Sequence, residues 1–279
     1  MGLLTDMQRS SLARVLEARA RRSEAELRAM ARDTPPPLPL RRAVAGFDLI
    51  AELKLRSPAV GSLASQTTDP LARLDSYARG GAAMISVLTE PERFDGSLEH
   101  LAAAAARMRT HEVPVMRKDF LVDPYQVVEA RVHGAAGVLL IVRLVDRARL
   151  VEMLDCAAEL GLFVLLEAFD ADDLAVATGI AAQCGNDRGD VLMGLNCRDL
   201  ETLAIDFERF ERLRAGLPAG WPAVAESGVI EPADAARVAA LGYRYALVGT
   251  SLMRRADPES AVAELLAAGR AACDGGMSA

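Results

Sequence analysis

The sequence alternates eight times between a short apolar run and a longer amphipathic stretch. The apolar runs have the length and the β-branched content of strands. They cover residues 47–53, 84–88, 113–116, 137–142, 163–166, 191–195, 223–225 and 245–248. Each run is followed by a stretch with helical periodicity, and several of these stretches begin with Asp-Pro or Glu-Pro and end at Gly. This alternation predicts parallel strands that are connected by crossover helices.

Eight strand–helix units are the number that closes a (β/α)8 barrel. The predicted strands are apolar at consecutive positions, which is typical of strands buried on both faces. We therefore predict an α/β fold, a (β/α)8 TIM barrel over residues 46–279. A doubly wound open sheet is the alternative, and it is disfavoured because no GxGxxG sequence follows the first strand.

Residues 1–45 lie outside the eight units. Residues 12–31 predict one charged amphipathic helix, and three consecutive prolines then break it. The apolar face of this helix carries Leu12, Val15, Leu16 and Ala20. We predict that residues 1–45 form a helical extension packed on the barrel and that residues 46–279 form a single catalytic domain. A disordered N-terminal arm is the alternative.

Composition and charge exclude several classes of protein. Of the 279 residues, 51% are hydrophobic and 25% are charged, which excludes a disordered chain. The net charge of −7 gives no basic field for nucleic acid or an anionic membrane. The longest apolar run, residues 135–142, is too short to span a bilayer, and the N-terminal residues lack the pattern of a signal peptide. We expect a cytoplasmic protein with its four separated cysteines reduced, and no nucleic-acid or membrane partner.

Lysine is rare in this chain. Only Lys54 and Lys118 are lysines among the 32 basic residues; the other 30 are arginines. An ammonium can transfer a proton when its pKa is lowered, whereas a guanidinium stays protonated. Both lysines lie where a predicted strand ends, which is where TIM barrels carry their catalytic groups. We interpret the two lysines as functional residues; a coding bias is the other explanation of the count.

Further polar groups lie at the predicted strand ends. Glu52 is two residues from Lys54, so that both side chains are expected to point into the barrel mouth. Lys118 and Glu167 add opposite charges from other strands. Such a cluster shifts pKa values and suits acid–base catalysis, although an ion pair of this kind is about as often structural. The other polar candidates at strand ends are Asn196, Arg198, Glu226 and Ser227.

Gly228 follows the seventh predicted strand, and Gly249 and Thr250 follow the eighth. Barrels of this type often hold a phosphate there through backbone N–H groups, although a glycine after one strand is more often a plain turn. Phe94 and Phe120 could form an apolar wall or belong to the core. The chain has no HxH or HExxH sequence. The residues predict a barrel enzyme that acts on a phosphorylated small molecule with a Lys/Glu acid–base site, without a metal or redox cofactor.

Six segments, in order along the chain, resemble the indole-3-glycerol phosphate synthase family. They are IAELK at residues 50–54 with Ser57-Pro58, SVLTEPERFDGSL at 86–98, RKDFLVDPYQVVE at 117–129, GLNCRDL at 194–200, AESGV at 225–229 and LVGTSLMR at 247–254. The third segment is the most specific of the six. The resemblance spans residues 47–255 and includes the strand ends that carry the candidate residues.

The resemblance implies an enzyme of tryptophan biosynthesis that converts 1-(2-carboxyphenylamino)-1-deoxyribulose 5-phosphate to indole-3-glycerol phosphate, with loss of carbon dioxide and water. It implies that Lys118 is a general acid at the ribulose carbonyl and that Glu167 is an acid/base in the dehydration. Lys54 and Glu52 would serve proton transfer and substrate binding, and which lysine acts in which step stays open.

The resemblance also implies binding roles for the remaining candidates. Asn196 would position the substrate, and Arg198 would pair with its anionic groups. Glu226 and Ser227 would contact the anthranilate part. The phosphate would be held by Ser57, Gly228, Gly249 and Thr250.

The chain departs from the family pattern at several positions. Ala59-Val60-Gly61 replaces the usual Ser-Lys-Gly, Cys197 replaces a common second Asn, and Thr250 replaces Glu or Ser. Phe169 stands where His is usual. If the fifth strand continues to Phe169, its ring stands beside Glu167; if the chain turns at Ala168, the ring points between the barrel and its helices.

These departures leave room for a paralogue that acts on a related substrate in a specialised pathway. A phosphate-binding barrel without catalysis is a second alternative, and the presence of both lysines and all the site carboxylates disfavours it. A phosphoribosyl isomerase is a third, but it would need a Cys/Asp pair at the ends of strands one and five. We expect a monomer or a weak homo-oligomer.

Overall fold

Eight parallel strands close into a barrel within the residues that the computed structural model describes, which are 2–40, 46–58, 61–63, 69–184 and 190–275. The strands are β1 (Asp48–Leu53), β2 (Met84–Leu88), β3 (Val115–Lys118), β4 (Gly137–Ile141), β5 (Phe163–Ala168), β6 (Val191–Asn196), β7 (Ala223–Glu226) and β8 (Tyr245–Val248). β1 pairs in parallel with both β2 and β8, so that the sheet has no edge. The predicted TIM barrel is confirmed, and the open sheet is wrong.

Helices follow the strands and surround the barrel. Two helices, α1 (Leu3–Arg21) and α2 (Glu24–Asp33), precede it. The later ones are α3 (Pro70–Arg79), α4 (Pro91–Phe94), α5 (Leu98–Arg109), α6 (Pro124–Val132), α7 (Arg147–Glu159), α8 (Ala171–Cys184), α9 (Arg209–Leu213), α10 (Pro232–Ala240), α11 (Thr250–Arg254) and α12 (Pro258–Gly275). Asp69 and Asp123 start α3 and α6, because each carboxylate accepts a hydrogen bond from a backbone N–H of the first turn. The prolines that follow them occupy the first helical position.

The third strand differs from its prediction. It was expected over residues 113–116, but it covers Val115–Lys118. Pro114 lacks the N–H that a ladder needs, so that regular pairing begins after it. Lys118 is therefore the last residue of the strand, and its backbone pairs with Leu88 of β2.

Apolar side chains fill the barrel interior below the mouth. They are Ile50, Met84, Met116, Leu165, Leu192, Val224, Tyr245 and Leu247. A larger apolar cluster lies between the sheet and its helices. Because the strands are buried on both faces, side chains that point inward near the carboxyl ends share a single enclosed mouth.

The N-terminal region contains two helices, so that the single helix predicted over residues 12–31 is wrong. The break lies at Ser23, whose side chain accepts a hydrogen bond from Glu26 N–H while the Glu26 carboxylate accepts one from Ser23 N–H. This capping box starts α2, and its Ser-x-x-Glu spacing is visible in the sequence at residues 23–26. Of the predicted apolar face only Val15 is buried; Leu12 is 47% exposed, Leu16 is 70% exposed and Ala20 is exposed, so that the rest of the prediction is wrong.

Both N-terminal helices contact the barrel, which excludes a disordered arm over their residues. The buried positions of α1 are Met7, Ser11 and Val15. The polar Ser11 is buried because its hydroxyl accepts a hydrogen bond from the Gln126 side chain of α6. The Tyr125 hydroxyl donates to the carbonyl of Ala18 at 3.1 Å. The division at residue 45 falls on residues 41–45, outside the described residues, and stays a prediction.

Candidate active site

A cavity of about 410 Å³ opens at the carboxyl ends of the strands. All fourteen candidate residues from the sequence line it: Glu52, Lys54, Ser57, Phe94, Lys118, Phe120, Glu167, Asn196, Arg198, Glu226, Ser227, Gly228, Gly249 and Thr250. They meet there because the ends of the parallel strands and the loops that follow them form one rim. Their individual roles stay predictions.

Four charged side chains form a layer inside the mouth. Glu52, Lys118, Glu167 and Glu226 come from β1, β3, β5 and β7, and therefore from alternate strands. Layers of four side chains from alternate strands are the usual way in which a TIM barrel fills its interior. The three carboxylates are only 1–3% exposed, and Lys118 is 17% exposed. The top layer of this barrel is thus a buried ionic cluster instead of an apolar one.

The Lys118 ammonium lies between two of the carboxylates. Its Nζ is 3.3 Å from Glu226 Oε2 and 3.7 Å from Glu167 Oε1. Burial by itself would lower the pKa of Lys118, but the negative charges of Glu167, Glu226 and Glu52 outweigh burial and raise that pKa above its ordinary value. The lowered ammonium pKa on which the sequence analysis based proton transfer is therefore wrong for Lys118, whose pKa is raised. Lys118 is protonated at neutral pH and can donate a hydrogen bond to an oxygen in the cavity, or a proton once that oxygen becomes strongly basic.

The environment of Glu226 disfavours its charged form. Burial, followed by repulsion from Glu167, raises the pKa of Glu226 above its ordinary value of 4.5, although Lys118 acts in the opposite direction. One oxygen, Oε2, accepts from Lys118. The other, Oε1, is buried and has no hydrogen-bond partner among the described residues. Glu226 can therefore hold a proton at a pH at which an exposed glutamate has lost it.

The raised pKa of Glu226 makes stability depend on pH. Above pH 4.5 the folded state retains this proton more than the unfolded state does, so that the contribution of Glu226 to stability falls as pH rises. We expect Glu226→Gln, which cannot ionise, to gain free energy of unfolding relative to the parent as the pH rises from 4.5 through neutrality. Denaturant unfolding of both proteins at a series of pH values measures this difference. Glu92→Gln, at an exposed position, controls for the general effect of the substitution. A difference that is constant or that shrinks with rising pH would contradict the raised pKa.

Lys54 and Glu52 form a second acid–base pair at the edge of the layer. Lys54 Nζ is 2.6 Å from Glu52 Oε1. The two residues are two apart at the end of β1, so that both side chains enter the mouth, as the sequence predicted. At this distance the carboxylate holds the ammonium directly, and a proton can pass between them.

Asn196 holds Glu167 in place. Its side-chain Nδ2 donates to Glu167 Oε1 at 2.6 Å, and its Oδ1 accepts from the backbone N–H of Arg198 at 2.9 Å. The Arg209 guanidinium also donates to the Asn196 carbonyl. The Arg198 side chain donates to the carbonyl of Leu203 at 2.9 Å while it lines the cavity. Asn196 therefore fixes the position of a carboxylate in the layer, a contact that its sequence position did not reveal.

The loops after β7 and β8 are neighbours, because these strands pair with each other. Ser227 and Gly228 have φ values of 68° and 75°. A Cβ atom at Gly228 would also lie 3.0 Å from Cys197 Sγ, so that both the backbone conformation and the space require glycine there. Thr250 begins α11 directly after Gly249. This end of the cavity is where the sequence analysis expects the phosphate.

Aromatic rings form one side of the cavity. The rings of Phe94 and Phe120 are 6.2 Å apart between centroids and tilted by 38°. β5 ends at Ala168, yet the buried Phe169 also lines the cavity, so that neither geometry expected for Phe169 is right by itself. The Arg143 guanidinium lies 5.2 Å from the centroid of the Phe169 ring. The loop departure at Ala59 and Val60 lies outside the described residues.

Two acidic residues at the beginning of α8, Asp170 and Asp173, hold the Phe169 side chain and backbone in place through Arg143 and a hydrogen bond. Arg143 pairs with both Asp170 and Asp173. Asp173 also accepts a hydrogen bond from Phe169 N–H at 2.8 Å. Arg143 contacts the ring of Phe169 and Asp173 binds its backbone, so that one ion-paired group holds an apolar side chain in the cavity wall that Glu167 also lines.

Sequence reasoning missed a buried carboxylate directly after Lys118. Asp119 accepts two hydrogen bonds from Arg14 of α1, at 2.8 and 2.9 Å, and others from Arg117 and from the Thr89 hydroxyl. Burial would raise the pKa of Asp119, but these donors, Arg14 foremost, hold it well below its usual range. In the sequence, only its position directly after Lys118 pointed to Asp119. Through Arg14, Asp119 connects the N-terminal extension to the end of the strand that carries Lys118.

The cavity is also lined by residues that the sequence analysis did not single out as candidates. Leu3, Leu139, Ile141, Leu200 and Arg254 line it. Leu3 belongs to α1, so that the extension contributes to the cavity wall. None of the helices described is long and apolar enough for a bilayer span. In the same ranges, no three or more His, Cys, Asp and Glu side chains are grouped so that they could bind a metal ion.

The profile of the indole-3-glycerol phosphate synthase family matches residues 4–265. The chain is 44% identical over 249 residues to the indole-3-glycerol phosphate synthase of Mycobacterium leprae (strain Br4923), which covers 88% of this chain and 87% of that protein. It is 44% identical over 265 residues to the protein of the same name from Nocardioides sp.; this match covers 94% of this chain and 97% of that protein.

Solved structures share the fold at low sequence identity. The 3-hexulose-6-phosphate synthase from Salmonella typhimurium superposes with a TM-score of 0.63 at 14% identity, over 82% of this chain and 100% of that one. The thiamine phosphate pyrophosphorylase from Pyrococcus furiosus gives 0.56 at 16% identity, over 82% and 98%. At this identity the likeness supports the barrel fold alone.

Proposed function

The chain belongs to the indole-3-glycerol phosphate synthase family, and we propose that its cavity converts 1-(2-carboxyphenylamino)-1-deoxyribulose 5-phosphate to indole-3-glycerol phosphate. The reaction forms one carbon–carbon bond and releases carbon dioxide and water. The observation that carries the proposal is the buried layer of three glutamates around Lys118, with Lys54 beside it, at the strand ends of the barrel. This layer supplies two acid–base pairs, which is what ring closure followed by dehydration requires.

Ring closure requires a proton donor at the ribulose carbonyl. As the aromatic carbon that carries the carboxylate attacks this carbonyl, negative charge develops on the oxygen. Lys118 supports the role of donor because its carboxylate neighbours keep it protonated in a buried position. The attack leaves positive charge on the ring, and loss of carbon dioxide returns the electron pair of the carbon–carboxylate bond to it. No further cofactor is needed for the electron balance of this step.

Dehydration requires an acid for the leaving hydroxyl and a base for a ring proton. Glu167 is suited to act as acid or base in this step, because Asn196 fixes its carboxylate and the Lys118 ammonium lies 3.7 Å away. The Lys54–Glu52 pair, at 2.6 Å, provides the second acid–base couple. General acid–base catalysis of this kind contributes about 10²–10⁴-fold to the rate of a step.

The cavity has separate surfaces for the parts of the substrate. Phe94 and Phe120 offer an apolar wall for the anthranilate ring, Glu226 and Ser227 line the same cavity, and Arg198 offers a guanidinium for an anionic group. The phosphate is assigned to Ser57, Gly228, Gly249 and Thr250. We further propose that the protein acts in the cytoplasm as a monomer or weak homo-oligomer; the net charge of −7 supports the absence of a nucleic-acid partner.

Inorganic phosphate is expected to compete with the substrate. Free phosphate would occupy the site at Gly228, Gly249 and Thr250, so that KM rises with phosphate concentration while kcat stays constant. Initial rates at several millimolar phosphate concentrations measure the effect, with chloride at equal ionic strength as the control. Absence of inhibition, together with an anion bound elsewhere after a crystal soak, would refute the phosphate assignment.

Growth complementation tests the proposed function in a cell. We expect the parent protein to restore growth without tryptophan to a bacterial strain that lacks this synthase, and we expect Lys118→Arg to fail at equal expression. Failure of the parent protein, with soluble expression shown, would contradict the proposal.

A related substrate is the second candidate, and one observation favours it. Phe169 presents an apolar ring to the cavity and is clamped by Arg143, where the family usually has an imidazole. Kinetics on the plain substrate and on analogues with a substituted benzene ring separate the two candidates. A higher kcat/KM on a substituted analogue would favour the specialised pathway.

A further inference from the structure

Two glycines lie between the carboxylates of the charged layer. Gly194 is in β6, between the strands that carry Glu167 and Glu226. Gly249 directly follows β8, between the strands that carry Glu226 and Glu52. A Cβ atom built on Gly194 would overlap with Glu226 Oε1, and one built on Gly249 would overlap with Glu52 Oε1. Gly194 lies within β6 and has no positive φ, so that the backbone conformation does not explain it. Gly249 has a φ of −122° and a ψ of −76°, so that its backbone conformation favours glycine in addition to the close approach of Glu52.

We propose that Gly194 and Gly249 are positioning residues of the active site, because the space where their side chains would stand holds the carboxylates of Glu226 and Glu52. This inference rests on the proposed function and adds to it two residues that touch no reacting atom. For Gly249 the role is additional to the phosphate contact assigned above.

The contacts of Glu226 show what Gly194 does. Oε1 lies against the bare Cα of Gly194 and has no hydrogen-bond partner among the described residues, whereas Oε2 faces Lys118 at 3.3 Å. A side chain at position 194 would meet Glu226 Oε1 first, then Glu226 Cδ and Leu165 Cδ1, both at 3.1 Å. Leu165 is fully buried in the barrel interior and has little room to move. The flexible carboxylate is therefore the group that would be displaced, and it would lose its place beside Lys118.

Gly249 holds Glu52 in the same way. A Cβ atom there would also lie 2.9 Å from Glu52 Cδ and 3.2 Å from Glu52 Cβ, so that the whole side chain would have to move. That movement would separate Glu52 Oε1 from Lys54 Nζ, which are 2.6 Å apart. The Lys118–Glu226 and Lys54–Glu52 contacts thus each depend on one glycine, Gly194 of β6 and Gly249 directly after β8.

The test is Gly194→Ala, alone and combined with Glu226→Asp. We expect the single substitution to lower kcat by about 10²-fold, since a displacement on the order of 1 Å in an active site has effects of this size. Asp is shorter by one methylene group and leaves room for the added Cβ. In the Glu226→Asp background, we therefore expect Gly194→Ala to change kcat by less than about 3-fold, which is the signature of direct coupling. Equal losses in the two backgrounds, or a kcat near that of the parent in the single variant, would overturn the proposal.

A titration provides a readout that does not depend on turnover. The carboxyl ¹³C resonance of Glu226, assigned by its loss in Glu226→Gln, reports the pKa of this group. We expect Gly194→Ala to lower the pKa of Glu226, because burial is the main cause of its raised value and the displaced carboxylate would leave the buried position. An unchanged titration would overturn the proposal. If the parent protein forms no indole product, the proposed function fails, and this titration still decides the role of Gly194.

Gly179→Ala is the matched control. Gly179 lies in α8, and a Cβ atom there would meet nothing nearer than Arg147 at 3.5 Å, so that we expect parental activity. Thermal unfolding of each variant shows whether it folds. A double variant that folds where Gly194→Ala alone does not would support the proposal. If neither folds, Gly249→Ala with Glu52→Asp decides it by the same criteria.

Discussion

Replacing Lys118 with arginine lowers kcat by about 10²–10⁴-fold and leaves the barrel folded. Arginine keeps the positive charge that Glu167 and Glu226 face, but a guanidinium does not give up a proton near neutral pH. The loss therefore isolates proton transfer from charge. Steady-state rates of indole-3-glycerol phosphate formation measure it, and circular dichroism shows that the fold is retained.

Lys118→Met is the companion variant, because it removes the charge as well as the proton. We expect Lys118→Arg to keep a KM closer to the parental value than Lys118→Met does, since only the latter leaves the carboxylates of the layer without a cation from β3. If Lys118→Arg retained most of the parental kcat, Lys118 would have no part in proton transfer.

Replacing Asp119 with alanine lowers the free energy of unfolding by about 3–5 kcal/mol. Arg117 is only 2% exposed and donates to Asp119 and to Glu129, and Arg14 reaches Asp119 from α1 through two hydrogen bonds. Removing the carboxylate leaves the buried Arg117 guanidinium and the partly buried Arg14 guanidinium with too little compensating charge. Denaturant unfolding at neutral pH, where Asp119 is ionised, measures the change.

Glu259→Ala provides the control for Asp119→Ala. Glu259 pairs with Arg79 at 2.7 Å, but these side chains are 45% and 52% exposed. An exposed pair contributes about 0–1 kcal/mol, so that its loss has a small effect on stability. Equal effects of the two substitutions on the free energy of unfolding would mean that burial does not determine how much Asp119 and its hydrogen-bond partners contribute to stability.

The fold and the fourteen candidate residues that line the cavity were predictable because they depend on short-range patterns. Eight strand–helix units specify a closed barrel, and a residue at the end of a parallel strand necessarily reaches the common mouth. The spacing of Glu52 and Lys54 predicts that they share a side of the strand, and the structure places them 2.6 Å apart. Lys118 and Glu167 could be predicted as site residues once the ends of the third and fifth strands had been located in the sequence.

Contacts between distant segments were not predictable from such patterns. The requirement for glycine at position 194 arises from a carboxylate 32 residues later in the sequence, on the neighbouring strand. Asp119 depends on Arg14, whose position beside it follows from the packing of α1 on the barrel. Phe169 remains in the cavity although its strand has ended, because Arg143 and Asp173 hold it there. These features depend on tertiary packing, which local sequence patterns do not encode.

The most direct measurement is the stoichiometry of the reaction on a substrate labelled with ¹³C in its carboxyl group. We predict that the purified protein releases one labelled carbon dioxide for each indole-3-glycerol phosphate formed, and that Lys118→Arg loses both products together. Consumption of the substrate without release of labelled carbon dioxide, or no consumption by the folded parent protein, would contradict the assignment of ring closure to this cavity.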